Sequence, residues 1–183
     1  MSHTTEIVSL FEQRGDSQYG GEAVSQLEHA LQAAMLAERE SASAELIVAA
    51  LLHDVGHLLH DMPADAPDSG IDDHHENSAA HYLRTRFPEA VVEPVRLHVA
   101  AKRYLCTVDS EYHRTLSRPS IVSLQLQGGP MSAEERADFE ANPFWRDAVR
   151  LRHWDDMAKT PQLPTPSLSH FASYIAAVAF KEP

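Results

Sequence analysis

Apolar positions recur at helical spacing along most of the chain, and few segments show the two-residue alternation of a half-buried strand. The pattern predicts a short first helix over Glu6 to Arg14. A loop follows from Gly15 to Gly21, where Gly20 and Gly21 can act as hinges. A second helix is predicted from about Glu22 to Glu38, and a third from about Ala44 to His60. The stretch Leu46 to Leu52 within the third is apolar on every side, which places it at the domain centre. Asp61 to Asp73 holds two prolines and five aspartates and reads as a surface loop. A fourth helix starts near His75 and stops before Pro88. A fifth runs from near Glu89 to about Val108, with Pro94 in its first turns. Asp109 to Met131 is less regular, and Gln127-Gly128-Gly129-Pro130 marks a turn or a close approach. Ser132 with Glu135 has capping-box spacing and opens the next helix. The helix bearing Asp155 covers about Pro143 to Lys159. A proline-rich loop, Pro161 to Pro166, leads to a last helix ending near Phe180, with Thr165 as cap and Pro166 at the first helical position. The sum is an all-α helical bundle, one domain over residues 1–183.

Composition narrows the function. The only cysteine is Cys106, so a disulfide framework is excluded and a reducing cytoplasm fits best. Cys106 itself reads as a small apolar helix residue. The net charge of -12 argues against a nucleic-acid partner, because phosphate backbones need basic surface. It leaves room for a small anionic substrate, since a few local cations or metals outweigh a distant net charge. No signal peptide and no membrane span is expected. Twelve histidines are many for 183 residues, and they are not gathered in one tract.

The strongest local signal is His53-Asp54-Val55-Gly56-His57, set in the most apolar helix. Four-residue spacing puts His53 and His57 on one helical face. A buried, unpaired carboxylate costs several kcal/mol, roughly. A cation beside Asp54 removes that cost, and a metal ion is the simplest cation for adjacent imidazole and carboxylate donors. Two hydrogen-bonded core histidines and a capped aspartate are the bland alternative. Gly56 costs a helix about 1 kcal/mol relative to alanine, which points to a close backbone approach. His29, His75, His98 and Asp155 lie on other predicted helices. Singly, each is as well explained as an ordinary polar residue.

Their order, H…HD…H…H…D, resembles the HD-domain superfamily, a helical bundle whose ligands come from separate helices. The resemblance implies that His29, His53, Asp54 and Asp155 bind one metal. His75 and His98 would bind a second, with Asp54 bridging. Four imidazoles and two carboxylates suit zinc, manganese or iron alike, so ligand type leaves both hydrolysis and oxygen chemistry open.

A closer likeness covers about residues 10 to 160. Tyr19-Gly20-Gly21-Glu22, Gln26-Leu27-Glu28-His29, Ala50-Leu51-Leu52-His53-Asp54-Val55-Gly56-His57, His98-Val99-Ala100-Ala101-Lys102-Arg103-Tyr104-Leu105, Gln127-Gly128-Gly129-Pro130-Met131 and Trp154-Asp155 resemble one small family. Its members are mixed-valent di-iron oxygenases that cleave the carbon–phosphorus bond of 1-hydroxy-2-aminoethylphosphonate. The resemblance implies two iron ions, Fe(II) and Fe(III), with dioxygen as co-substrate. It makes His57 and Lys102 substrate-binding groups, Lys102 neutralising the phosphonate. Ser120, Gln127 and the backbone N–H groups near Gly128 and Gly129 would complete the cradle. Tyr19 and Glu22 would form a mobile lid over the open iron position and the nitrogen end of the substrate. Arg103, adjacent to Lys102, points elsewhere and reads as structural. The products would be phosphate and glycine, or glycine betaine from a trimethylammonio analogue. The enzyme would work downstream of one that makes the 1-hydroxyphosphonate. A di-metal phosphohydrolase acting on a nucleotide or other phosphate ester is the alternative with the same ligands. A regulatory module without catalysis is disfavoured, because all six ligand positions are filled.

Overall fold

Serine sets the helix boundaries. Ser2, Ser25, Ser43, Ser117, Ser132 and Ser167 each precede a helix in extended backbone, and each side chain accepts the N–H three residues on. The computed structural model describes residues 2–59 and 74–181. Its helices are α1 His3–Arg14, α2 Gln26–Arg39, α3 Ala44–Leu52, α4 His75–Leu83, α5 Glu89–Val108, α6 Tyr112–Thr115, α7 Arg118–Leu126, α8 Ala133–Ala141, α9 Trp145–Met157 and α10 Leu168–Val178. No strand occurs among the described residues, which bears out the all-α expectation.

Four boundaries depart from the sequence reading for a local reason, and α4 also stops at Leu83, short of the end predicted before Pro88. α1 starts at His3 rather than Glu6, because Ser2 caps it. α2 starts at Gln26 rather than Glu22, because Ser25 and Glu28 form a full capping box. Residues before it are held instead by an isolated bridge between Gln18 and Ser25. The last helix is capped by Ser167, not by Thr165 with Pro166 at its first position. α3 ends at Leu52 instead of continuing to His60. Asp54 leaves helical geometry (φ -103°, ψ 12°), and a 3-10 turn over Val55–Leu58 follows. The predicted loop Asp61 to Asp73 lies outside the described residues. The irregular stretch from Asp109 contains α6 and α7, the latter with Pro119 in its first turn.

α3 lies at the centre as predicted, with Leu46 through Leu52 all buried. It packs on α2, α5 and α10, while α5 packs on α4 and α9. One apolar cluster joins α1–α5 to α9 and α10. A second, including Leu97, Tyr104, Leu124 and Phe139, joins the far half of α5 to α6, α7 and α8. α2, α3, α4, α5 and α9 therefore approach one another where the two apolar clusters adjoin along α5.

Candidate metal centre

The interruption of the helix at the end of α3 builds the centre. His53 caps α3, and Asp54 begins the turn away from it. Asp54 can then direct its two oxygens to different neighbours. Its Oδ2 lies 3.5 Å from His29 Nε2 and 3.3 Å from His53 Nε2. Its Oδ1 lies 3.3 Å from His75 Nε2 and 3.4 Å from His98 Nε2. Asp155, from α9, sets Oδ1 3.4 Å from His29 Nε2. Two groups result, each with donor atoms within 4.8 Å of one another: His29, His53, Asp54 and Asp155, and Asp54, His75 and His98. All six residues are buried.

The hydrogen bonds orient these rings toward a cation. His29 Nδ1 donates to the Ala158 carbonyl at 2.8 Å, and His53 Nδ1 to that of Ala50 at 2.9 Å. His98 Nδ1 donates to the Val95 carbonyl at 2.7 Å. Each Nε2 then presents a lone pair. Yet His29 Nε2 stands 3.0 Å from His53 Nε2, and His75 Nε2 stands 3.2 Å from His98 Nε2. Lone pairs facing one another beside carboxylate oxygens need positive charge between them. Asp54 Oδ1, buried, receives no well-formed hydrogen bond. In the metal-free protein a proton answers part of this need. Burial opposes charge on His29, but Asp155 and Asp54 override it and hold the ring up to about 9. Burial keeps His98 below its ordinary value, which leaves it neutral and ready to ligate. Nitrogen and oxygen donors in this arrangement fit two first-row transition ions.

The surroundings hold the ligands. Arg152, one turn before Asp155, donates to Asp155 Oδ2 at 2.8 Å and also grips Asp156, itself bound by the Tyr112 hydroxyl. Asp155 Oδ1 is thereby left to face His29. Gly56 permits the close approach inferred for it: a Cβ there would stand 2.1 Å from the His75 carbonyl oxygen. His57 does not share a helical face with His53, because the intervening backbone is a 3-10 turn. Its ring stacks on His75 instead, with centroids 4.1 Å apart.

Other predicted site residues cluster on one side. Lys102, one turn beyond His98 on α5, is buried and donates to Ser123 Oγ at 2.7 Å. Burial, with repulsion from Arg152, lowers it to about 7. Ser120 is buried in the first turn of α7. Gln127 follows the end of α7, and its buried Oε1 receives no hydrogen bond. Gly128 and Gly129 do adopt left-handed backbone (φ 94° and 71°), but their amides already donate to Gln125 and Leu124 carbonyls. They close the helix C-terminus, so the expectation that both amides face an anion meets amides already in use. Arg103 is structural, bonding the Gly129 carbonyl at 2.8 Å and Glu135 at 2.7 Å. Tyr19 stacks on His29 at 3.8 Å and sets its hydroxyl 3.3 Å from Asp155 Oδ1. Burial and the nearby carboxylates raise the Tyr19 hydroxyl well above its usual range. Three neighbours escaped the sequence reading. Arg152 and Lys159 sit three before and four after Asp155, a helical-face signal. Glu76, buried beside His75, had none beyond adjacency.

The HD domain model matches residues 26–136, from His29 through His98. This chain belongs to the HD-domain family. Asp155 lies past the matched stretch and is brought to the centre by α9 packing on α5. The chain is 43% identical, over 96% of its length and 89% of the relative's, to a [1-hydroxy-2-(trimethylamino)ethyl]phosphonate dioxygenase (glycine-betaine-forming) of Leisingera caerulea. It is 48% identical, over 91% of its length and 83% of the relative's, to a hydroxymethylphosphonate dioxygenase of Gimesia maris. An uncharacterized protein of Acanthamoeba polyphaga mimivirus is 38% identical over 84% of this chain and 71% of its own. The phosphonate-oxygenase resemblance drawn from the motifs is borne out by these relatives, as is the reading as a metal-binding enzyme.

Proposed function

We propose that this chain is a dioxygen-dependent di-iron oxygenase that cleaves the carbon–phosphorus bond of a 1-hydroxyphosphonate. The substrate is 1-hydroxy-2-aminoethylphosphonate or its trimethylammonio analogue, giving phosphate with glycine or glycine betaine. The observation that carries this reading is Asp54, whose two oxygens each face a separate imidazole group beside a buried lysine. The two relatives named as phosphonate dioxygenases support the substrate class. His29, His53, Asp54 and Asp155 would hold one iron; His75, His98 and Asp54 would hold the other. Bound iron supplies the Lewis acidity and redox capacity that side chains lack.

The protein's own groups do the rest. Lys102, Ser120 and Gln127 would hold the phosphonate, with Lys102 as its charge partner. Gly128 and Gly129 would shape the turn that presents Gln127. His57, stacked on His75, would hydrogen-bond the substrate from the side of the second group. Tyr19 and Glu22 lie in the non-helical loop before α2 and would move aside as substrate enters. The C–P and C1–H bonds break, both oxygen atoms of dioxygen enter the products, and one proton is released. All 183 residues would act as one domain, in the cytoplasm, on a substrate supplied by an enzyme that installs the 1-hydroxyl. No helix among the described residues is long and apolar enough to cross a membrane.

The test is phosphate release by iron-loaded protein from the two ethylphosphonates and from hydroxymethylphosphonate, with and without dioxygen. Release that needs dioxygen is expected. Release from a phosphate ester without dioxygen, and none from any phosphonate, would return the protein to the phosphohydrolase reading.

A further inference from the structure

We propose that Lys159 is a substrate-binding residue that exchanges partners, pairing with Glu22 in the free protein and with the phosphonate in the complex. The inference rests on the reading of the substrate as a zwitterionic phosphonate. Released Glu22 then receives the substrate's cationic nitrogen.

The backbone at Lys159 is fixed to the metal centre. The Ala158 carbonyl accepts the Nδ1–H of His29 at 2.8 Å. On the other side Gln32 holds Thr160 twice, donating to its carbonyl at 2.8 Å and accepting its N–H at 3.1 Å. Lys159 thus projects a flexible stem from an immobile base. Its ammonium reaches Ser120 Oγ at 3.2 Å and Glu22 Oε1 at 3.5 Å, and lies 5.9 Å from the centre of the Tyr19 ring. It therefore touches both halves of the expected site: the serine of the anion cradle and the two residues of the lid.

The contact with Glu22 is the weaker of the two. Glu22 Oε1 is buried and receives no well-formed hydrogen bond from Lys159. A charge pair without that bond is readily exchanged for a charge-assisted one. The cradle, in turn, is short of positive charge for a dianion. Lys102 donates to Ser123 Oγ, and Ser123 Oγ donates to the Ser120 carbonyl. Two ammonium groups therefore converge on serines one turn apart on α7. Lys102 is also held low in part by Lys159, so the two ammonium groups repel. A phosphonate between them turns that repulsion into two attractions.

The exchange keeps every charge paired only for a zwitterion. Phosphonate takes Lys102 and Lys159, and the substrate nitrogen takes Glu22 and the Tyr19 face, a setting suited to an ammonium group. A purely anionic phosphonate takes the lysines and strands Glu22. The Lys159–Glu22 pair is thus a specificity device as well as a binding one.

Two measurements test this independently of one another. The first is the affinity of wild type, Lys159→Met and Lys159→Arg for inorganic phosphate, read by calorimetry without dioxygen. Lys159→Met should weaken phosphate binding roughly tenfold or more, and Lys159→Arg should restore most of it. The second is steady-state phosphate release. Lys159→Met should raise KM for the trimethylammonio substrate with kcat little changed. Glu22→Gln should narrow the preference for that substrate over hydroxymethylphosphonate. Unchanged phosphate affinity in Lys159→Met, or an equal loss in Lys159→Arg, overturns the exchange. Absence of dioxygen-dependent release by the wild type overturns the oxygenase reading instead, and leaves the phosphate result to judge Lys159.

Discussion

Replacing Gly56 with alanine should empty one metal site and leave the other. The added Cβ would meet the His75 carbonyl oxygen at 2.1 Å, its carbonyl carbon at 2.8 Å and its Cα at 3.0 Å, where ordinary contact begins at 3.4 Å. All three are backbone atoms, so no rotamer relieves the clash. The relief that leaves α3 and Asp54 in place is a retreat of the first turn of α4 by roughly 1 Å, a displacement that elsewhere costs about a hundredfold in rate. His75 is the first residue of α4 and moves with it. His29, His53 and Asp155 hang from α2, α3 and α9 and do not. Overpacking of this kind costs about 1–3 kcal/mol. That lowers the melting temperature by about 2–4 °C per kcal/mol in a domain of this size. The assay is metal content per chain, with melting temperature and dioxygen-dependent phosphate release alongside. The expected result is one tightly held metal instead of two, with turnover down at least about a hundredfold. Phe139→Leu is the control, since Phe139 is buried on α8, a helix that carries no ligand. It should lower the melting temperature and keep both metals. A Gly56→Ala protein with two metals and full turnover would refute the argument.

Other expectations follow from the same geometry. His75→Ala and His98→Ala should each remove one metal and abolish turnover, and either variant retaining both would contradict the second group. Asp54→Asn should weaken both sites together, because its amide nitrogen cannot ligate and the shared negative charge is gone. Metal analysis that finds one site intact would show that Asp54 does not bridge. Burial and Arg152 place Lys102 at about 7 in the free protein, so its charged form prevails below that pH. The kcat/KM for a phosphonate should therefore fall as pH rises through about 7. Lys102→Arg should carry that limb to higher pH, and Lys102→Ala should mainly raise KM. An identical profile in Lys102→Arg would remove Lys102 from the cradle.

The helical periodicity, the buried run Leu46 to Leu52 and the order of histidines and aspartates were legible along the chain. They gave the fold class and, through the resemblance to the HD superfamily, the six candidate ligands. The boundaries were less so, although the serine caps at Ser25 and Ser167 were present as local signals. Their N-terminal side chains compete with weaker cues, such as Pro166, that a linear reading weighs equally. The reach of α3 was overestimated for a different reason. Apolar periodicity continues through Val55 and Leu58, and nothing local announces that Asp54 must turn out of the helix.

Residue chemistry and spacing are properties of the chain, and they determined that this protein is helical and rich in metal-ligand types at separated positions. Which oxygen of Asp54 meets which pair of rings was decided only by packing. So was the partnership of Lys159 with Glu22, residues far apart in sequence. A helix places its own side chains by its repeat, but the angle between helices depends on every side chain in the interface. The metal centre lies where five such elements converge.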